Sequence, residues 1–314
     1  MSNSSKQNHW ADMEEAGFYW GLKSLAAIYR IAGRRVCLAA MYPVLLAFFL
    51  YKSSARLAIH EFLERVSERQ GSMKPTYWTG FRNFVAFGGA ALDKLSAWNG
   101  DIARSQLSFP GDMKSLFEID PEKKGAVLLV SHLGNVEVIR ALASLNQPRP
   151  ITVLVHTKHA KRFNNLMARF NPDSQLRLVE VDEISPDIAM HLRSCIDRGE
   201  WVVIAADRPP VSGRENIINV SFLGKMAPFA LGPYVLAHIL EAPVFMVAAL
   251  RKGHVFEIVW SKLSDKISLP RKNRMATAEK WAKLYAQWLE GLAVENPHQW
   301  FNFFAFWTSP QDKK

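Results

Sequence analysis

From Gly125 onward the chain alternates short runs of strand composition with helical stretches, and this alternation narrows the possible folds more than any other feature. Residues 126–131 (AVLLVS), 151–156 (ITVLVH), 176–181, 201–206 (WVVIAA), 243–250 and 255–261 are apolar or alternating and rich in β-branched residues, which predicts strands. Helical periodicity is predicted between them over 136–145, 160–170, 186–198, 229–241 and 276–293. In the last of these, Trp281, Leu284, Tyr285, Trp288, Leu289 and Leu292 are expected to share one face. Strands joined through helices imply an α/β fold: a mostly parallel mixed sheet flanked by helices. Active sites in such sheets lie beyond the carboxyl ends of the strands.

The N-terminal third obeys different rules. Residues 1–16 are polar and expected to be disordered. Phe18, Tyr19, Trp20, Leu22, Leu25 and Ile28 are interleaved with Lys23, Arg30, Arg34 and Arg35, as in a basic amphipathic helix lying on an anionic membrane. Residues 36–51 (VCLAAMYPVLLAFFLY) then carry no charge between Arg35 and Lys52. That stretch falls short of the roughly 20 residues a bilayer span requires, and Pro43 would kink it. It reads either as a buried core helix or as a half-inserted anchor. The flanking cations and abundant aromatics favour the anchor. Residues 55–70 predict an amphipathic helix with Leu57, Ile59, Phe62, Leu63 and Val66 inward, and a further aromatic helix is expected over 77–98. The organisation expected is a helical membrane-associated region over 17–100 and an α/β catalytic domain over 101–314.

Composition excludes several classes. With 49% hydrophobic and 22% charged residues, the chain is not disordered. Two cysteines, Cys37 and Cys195, cannot make a disulfide framework and read as buried thiols. The 39 basic against 29 acidic residues give a net charge of +10, which suits a polyanionic surface. No nucleic-acid recognition motif accompanies it, and the basic residues flank apolar helices, so a membrane is the expected partner and nucleic acid is not. There is no G-x-S-x-G elbow, P-loop or G-x-G-x-x-G segment. His60-Glu61 resembles the start of a zinc H-E-x-x-H motif, but Glu64 stands where the second His should be. No metal and no cofactor are expected.

Three strand-end loops remain. In the first, His132 leaves the predicted strand, Gly134 and Asn135 turn the chain, and Glu137 opens the next helix. An imidazole there can take a proton from a hydroxyl or amine, with a carboxylate behind it to hold the tautomer and stabilise the imidazolium. On spacing alone a structural His and a glutamate favoured by the helix dipole have the better claim. The second loop carries Asp207 and Arg208 after WVVIAA. The third carries His156, Lys158, His159, Lys161, Arg162 and Asn164, which suit a phosphate or a solvated face.

Taken together these segments resemble the lysophospholipid acyltransferase superfamily, and within it the lipid A late-acyltransferase branch. The resemblance rests on the hydrophobic basic start, the block from His132 to Glu137, the Asp207 turn, Val220-Ser-Phe-Leu-Gly224, Gly232-Pro-Tyr-Val-Leu-Ala237 and Ala242-Pro-Val244. It runs from about Gly17 to Trp307. It implies transfer of a fatty acyl chain from an acyl carrier protein or coenzyme A thioester to a hydroxyl or amine of a lipid-linked acceptor, at the cytoplasmic face of a bacterial inner membrane. His132 would be the general base and Glu137 would orient and polarise it. Asn135, Asp207, Arg208, His156, Arg162 and Asn164 would contact substrate. Where lipid A enzymes end in a basic cluster, this chain has the aromatic run from Trp300 to Trp307. The departure points to other envelope lipids, such as aryl polyene or amino-acid lipids. The competing reading is a peripheral membrane-binding protein with a degenerate transferase fold, against which the intact His132 and Glu137 argue.

Overall fold

The computed structural model describes residues 28–29, 31–71, 74–98, 100–110, 125–139, 150–155, 176–180, 185–209 and 216–307. The strands are β1 (Leu107–Ser108), β2 (Ala126–Val130), β3 (Ile151–Val155), β4 (Leu176–Glu180), β5 (Trp201–Ala205), β6 (Ile217–Phe222), β7 (Lys225–Ala230), β8 (Val244–Lys252) and β9 (Val255–Ser264). The helices are α1 (Ile31–Tyr51), α2 (Ser53–Gln70), α3 (Tyr77–Trp98), α4 (Pro186–Asp197), α5 (Gly232–Leu240) and α6 (Arg274–Glu295). Seven strands form one sheet in the order β1-β9-β8-β2-β5-β3-β4, parallel throughout except where β8 meets β9. The expected mixed, mostly parallel sheet is present. The helix expected over 160–170 lies outside the described residues, and of that over 136–145 only 136–139 is described, as helix.

The apolar runs are continuous because the central strands are covered on both faces. Every residue of β2 is buried, and alternate residues serve opposite layers. Val127 and Leu129 join one core with α2, α5 and α6, while Ala126, Leu128 and Val130 join the other with Val138 and Ile139. β2 lies between β5 and β8, so the loops leaving β2 and β5 emerge side by side.

Packing departs from the sequence reading in three places. On α2 the inward stripe is Ala55, Ile59, Phe62, Leu63 and Val66, while Leu57 is exposed. On α6 it is Ala278, Ala282, Tyr285, Ala286, Leu289 and Ala293, with Trp281, Trp288 and Leu292 at its margins and Leu284 exposed. Small alanines let this helix sit close to its neighbours, and the indoles fill the edges. The third departure is the β6–β7 hairpin, which the polar composition before it concealed. Leu223 (φ 50°) and Gly224 (φ 79°) form its two-residue left-handed turn. Residues 229–230 still pair within it, so the helix expected from 229 begins only at Gly232, with Pro233 in its first turn.

α1 packs on α3 through an aromatic contact and a close approach. Phe49 meets Tyr77, Phe81 and Phe84 at centroid distances of 4.7, 5.4 and 5.1 Å, and Leu45 lies where a Cβ on Gly88 would be 2.7 Å away. Arg56 donates to the carbonyls of Phe49 and Leu50 near the helix C-terminus. The remainder of α1 presents Ile31, Val36, Val44, Phe48 and Leu50 outward. By length and composition it is the one helix among the described residues apolar enough to cross a membrane.

Gly134 joins the loop after β2 to β8. Its φ is +76°, and a Cβ there would stand 2.1 Å from the Ala249 carbonyl oxygen. Gly134→Ala is expected to destabilise the protein by about 2–4 kcal/mol, combining the left-handed backbone with overpacking. Chemical denaturation of the purified variant measures this, and an unchanged midpoint would show that the loop does not close on β8 in this way.

Candidate active site

The parallel register between β2 and β5 determines what meets at the sheet edge. Val130 pairs with Ala205, so residues two positions beyond each strand end arrive together. Those residues are His132 and Asp207. The Asp207 carboxylate is 1% exposed, whereas the His132 side chain is 35% exposed. Asp207 Oδ1 lies 2.8 Å from His132 Nδ1, and Oδ2 accepts from the His132 backbone N–H at 2.8 Å. A third donor is the Trp300 indole Nε1–H, 3.2 Å from Oδ2.

Burial pushes the Asp207 carboxyl up. Attraction to His132, the two His132 hydrogen bonds and the Trp300 indole outweigh it and hold the group below the usual carboxylate range. Asp207 is therefore an acceptor, which makes His132 Nδ1 the protonated ring nitrogen. Nε2 is then the ring nitrogen without a proton, on a side chain that is partly exposed. This arrangement can accept a proton from a hydroxyl or amine and stabilise the imidazolium that results.

The surrounding residues hold the loop in place. The Tyr285 hydroxyl donates to the Val130 carbonyl at 2.8 Å; burial, then the Asp207 charge, pushes its pKa well up, so it remains a donor. Gln299 O accepts from Gly134 N (2.9 Å), His132 O from Phe301 N (3.0 Å) and Ala249 O from Asn135 N (2.8 Å). The Asn135 side chain donates to Ala90 O on α3 at 3.0 Å and accepts from Glu137 N at 3.2 Å. A second tie to α3 is Asn83, which receives a hydrogen bond from His298 Nδ1 at 2.8 Å and donates to Pro297 O at 3.1 Å.

Residues 82–309 of the chain, nearly three quarters of it, match the family model of bacterial lipid A biosynthesis acyltransferases. The chain belongs to this family. It is an acyltransferase, and the matched span holds the whole sheet together with His132, Asp207 and Trp300. No curated protein sequence matches it.

Around His132 the structure sets contacts that differ from those expected from local spacing. Ring orientation was expected of Glu137, but the carboxylate on Nδ1 is Asp207. Glu137 lies in the helical segment 136–139 and its carboxylate meets Lys94 Nζ of α3 at 3.0 Å. Asp207, expected to touch substrate, is buried beneath the ring. Arg208 is exposed, donates from Nη2 to Phe301 O at 3.1 Å and lies 5.6 Å from the Phe304 ring centroid. His156, Arg162 and Asn164 lie outside the described residues. The aromatic run, expected to reflect the acceptor, is mostly interior: Trp300, Phe306 and Trp307 are buried against Phe222. Tyr285 was read only as part of an apolar helix face and Trp300 only as part of the aromatic run, since neither carries a motif. Their polar atoms became visible once the β2–β5 register placed them.

Asp207→Asn retains size but puts an amide N–H against one of three donors. In urea unfolding at pH 7 the variant is expected to be about 2–4 kcal/mol less stable than wild type. Because the folded carboxyl lies below the unfolded value of about 3.9, the deficit should be complete above that pH. It should shrink as pH falls through the lower folded value. A deficit constant down to pH 3 would mean that folding does not lower the Asp207 carboxyl.

Proposed function

We propose that this protein moves a fatty acyl chain from an acyl carrier protein or coenzyme A thioester to a hydroxyl or amine of a lipid-linked acceptor in bacterial envelope lipid biosynthesis. The observation that carries this reading is the His132–Asp207 pair, a buried anion on Nδ1 of an imidazole that is itself partly exposed. His132 Nε2 takes the acceptor's proton as its oxygen or nitrogen attacks the thioester carbonyl. The tetrahedral intermediate then collapses with release of the thiol, to which the imidazolium returns the proton. Asp207 supports the imidazolium through both steps, and Trp300 holds Asp207. Glu137 acts from behind, fixing the loop to α3 through Lys94.

The acceptor reading rests on the absence of a basic cluster after Trp300, which leaves few cations for a phosphorylated disaccharide at that end of the site. Envelope lipids of the aryl polyene or amino-acid type suit it better than lipid A. α1, with its exposed apolar face and the exposed Arg35 near its start, would hold the protein at the cytoplasmic face of the inner membrane.

His132→Ala is expected to lower kcat for acyl transfer by ~10²–10⁴-fold in the folded protein, beside a stability loss of about 1–3 kcal/mol because Asp207 loses one of its donors. Asp207→Asn should be similarly damaging, and the double variant far less impaired than the product of the two singles, because the pair acts as a unit. Wild-type turnover by a folded His132→Ala protein would overturn the assignment. Full-length protein is also expected to stay in the membrane pellet through a 1 M salt wash (roughly 3 Å Debye length), since buried apolar area survives screening. Complete release by salt would leave only electrostatic adhesion.

A further inference from the structure

A second buried carboxylate lies at the junction of α1, α3 and β8, and it holds two guanidinium groups. Asp93 of α3 is 3% exposed. Its Oδ1 meets Arg34 Nε and Arg251 Nη1, both at 2.8 Å, and its Oδ2 accepts from Arg34 Nη2 at 3.3 Å. Arg34 reaches this position across α3 over Gly89, where a Cβ would be 2.6 Å from its Nη2. Arg251 stands near the end of β8, its guanidinium 4.9 Å from the Phe256 ring centroid.

Two cations on one carboxylate leave one positive charge over, partly removed from water, where uncompensated charge is costly. Burial lowers the Arg251 guanidinium, Asp93 raises it, and Arg34 opposes it again. A structural salt bridge would need only one arginine. The second is explained if an anion joins the cluster.

Space for one is present on either side. Two recesses of about 320 Å³ each share Arg34, Asp93, Arg251 and Phe256 in their walls. One of them also has Asp101 and His254 in its wall, so that side already carries a second carboxylate. The other adds no further acid among the described residues and is walled by Gly134, Asn135 and Phe301, which flank His132 in its loop and in the segment after α6 that backs it. Arg251 is two residues beyond Ala249, whose carbonyl holds the Asn135 amide, a separation of about 7 Å along the strand.

We propose that Arg34 and Arg251, held side by side on Asp93, form a phosphate subsite in the recess beside the catalytic loop. The planar fork of each guanidinium matches phosphate oxygens in pairs. The subsite rests on the acyl-transfer reading for its link to substrate, and both substrates can carry the group. A phosphopantetheine arm brings a phosphate ester with the acyl donor, and a phosphorylated lipid brings one with the acceptor.

Binding of matched probes to the full-length protein in neutral detergent tests this. One pair is 4′-phosphopantetheine against pantetheine; the other is phosphatidic acid against diacylglycerol in mixed micelles. Wild type is expected to prefer the phosphorylated member of one pair by about tenfold or more, as charge-assisted hydrogen bonds require. The pair that discriminates identifies which substrate carries the phosphate. Arg34→Gln and Arg251→Gln should each bring that preference close to parity. Each leaves Asp93 paired with the remaining arginine, and a melting curve on the same sample reports folding. If wild type discriminates in neither pair, or the preference survives both substitutions, the subsite does not exist. The wild-type comparison needs no variant, so it decides even if a substitution impairs folding. Probe binding does not require His132. A lost preference beside an intact His132→Ala phenotype rejects the subsite alone, while normal turnover by His132→Ala rejects the acyl-transfer reading alone.

Discussion

The buried carboxylate of Asp207 is the point on which the rest of the site depends. A charge that is 1% exposed persists only when fully hydrogen-bonded, and its three donors come from two distant parts of the chain. The His132 amide and ring come from the loop after β2, and the Trp300 indole from the segment after α6. Loss of any one would leave a buried anion short of a partner. This couples the C-terminal aromatic segment, through one carboxylate, to the placement of the histidine more than 160 residues before it.

The same coupling explains why the aromatics are concentrated at the end of the chain. Trp300 packs against Phe62 of α2, Phe222 of the hairpin, Phe306 and Trp307, with centroids 4.8 to 6.1 Å away. Edge-to-face contacts of this kind fix ring orientation as well as burying area. An indole directed at a carboxylate has to be held at a defined angle, and four neighbouring rings do this. The segment also supplies the backbone partners of His132 and Gly134, so it completes the loop as well as the core.

α3 has a comparable role on the other side of the loop. It accepts the Asn135 side chain at Ala90, ties Glu137 through Lys94, and presents Asp93 to Arg34 of α1 and Arg251 of β8. Read from composition, α3 belonged with the membrane-associated helices. In the structure it stands between the apolar helix α1 and the loop after β2, bonded to both. Any displacement of α1 relative to the sheet would therefore act on the loop through α3.

The chain's own order determined a good deal. Apolar runs of five or so residues between helical segments required a sheet with covered faces, and such a sheet places chemistry at strand ends; His132 and Asp207 were legible as strand-end residues for that reason. Family membership was also legible, because it rests on the order of several short segments. The partner of His132 was not. Glu137 is five residues away in sequence and Asp207 seventy-five, and local spacing favours the nearer carboxylate. Only the pairing of β2 with β5, in a register that sets Val130 beside Ala205, brings the farther one under the ring. The inward faces of α2 and α6 and the interior place of Trp300 were decided in the same way. Periodicity states which residues share a face, but neighbouring elements decide which face is covered and which polar atom finds a buried partner.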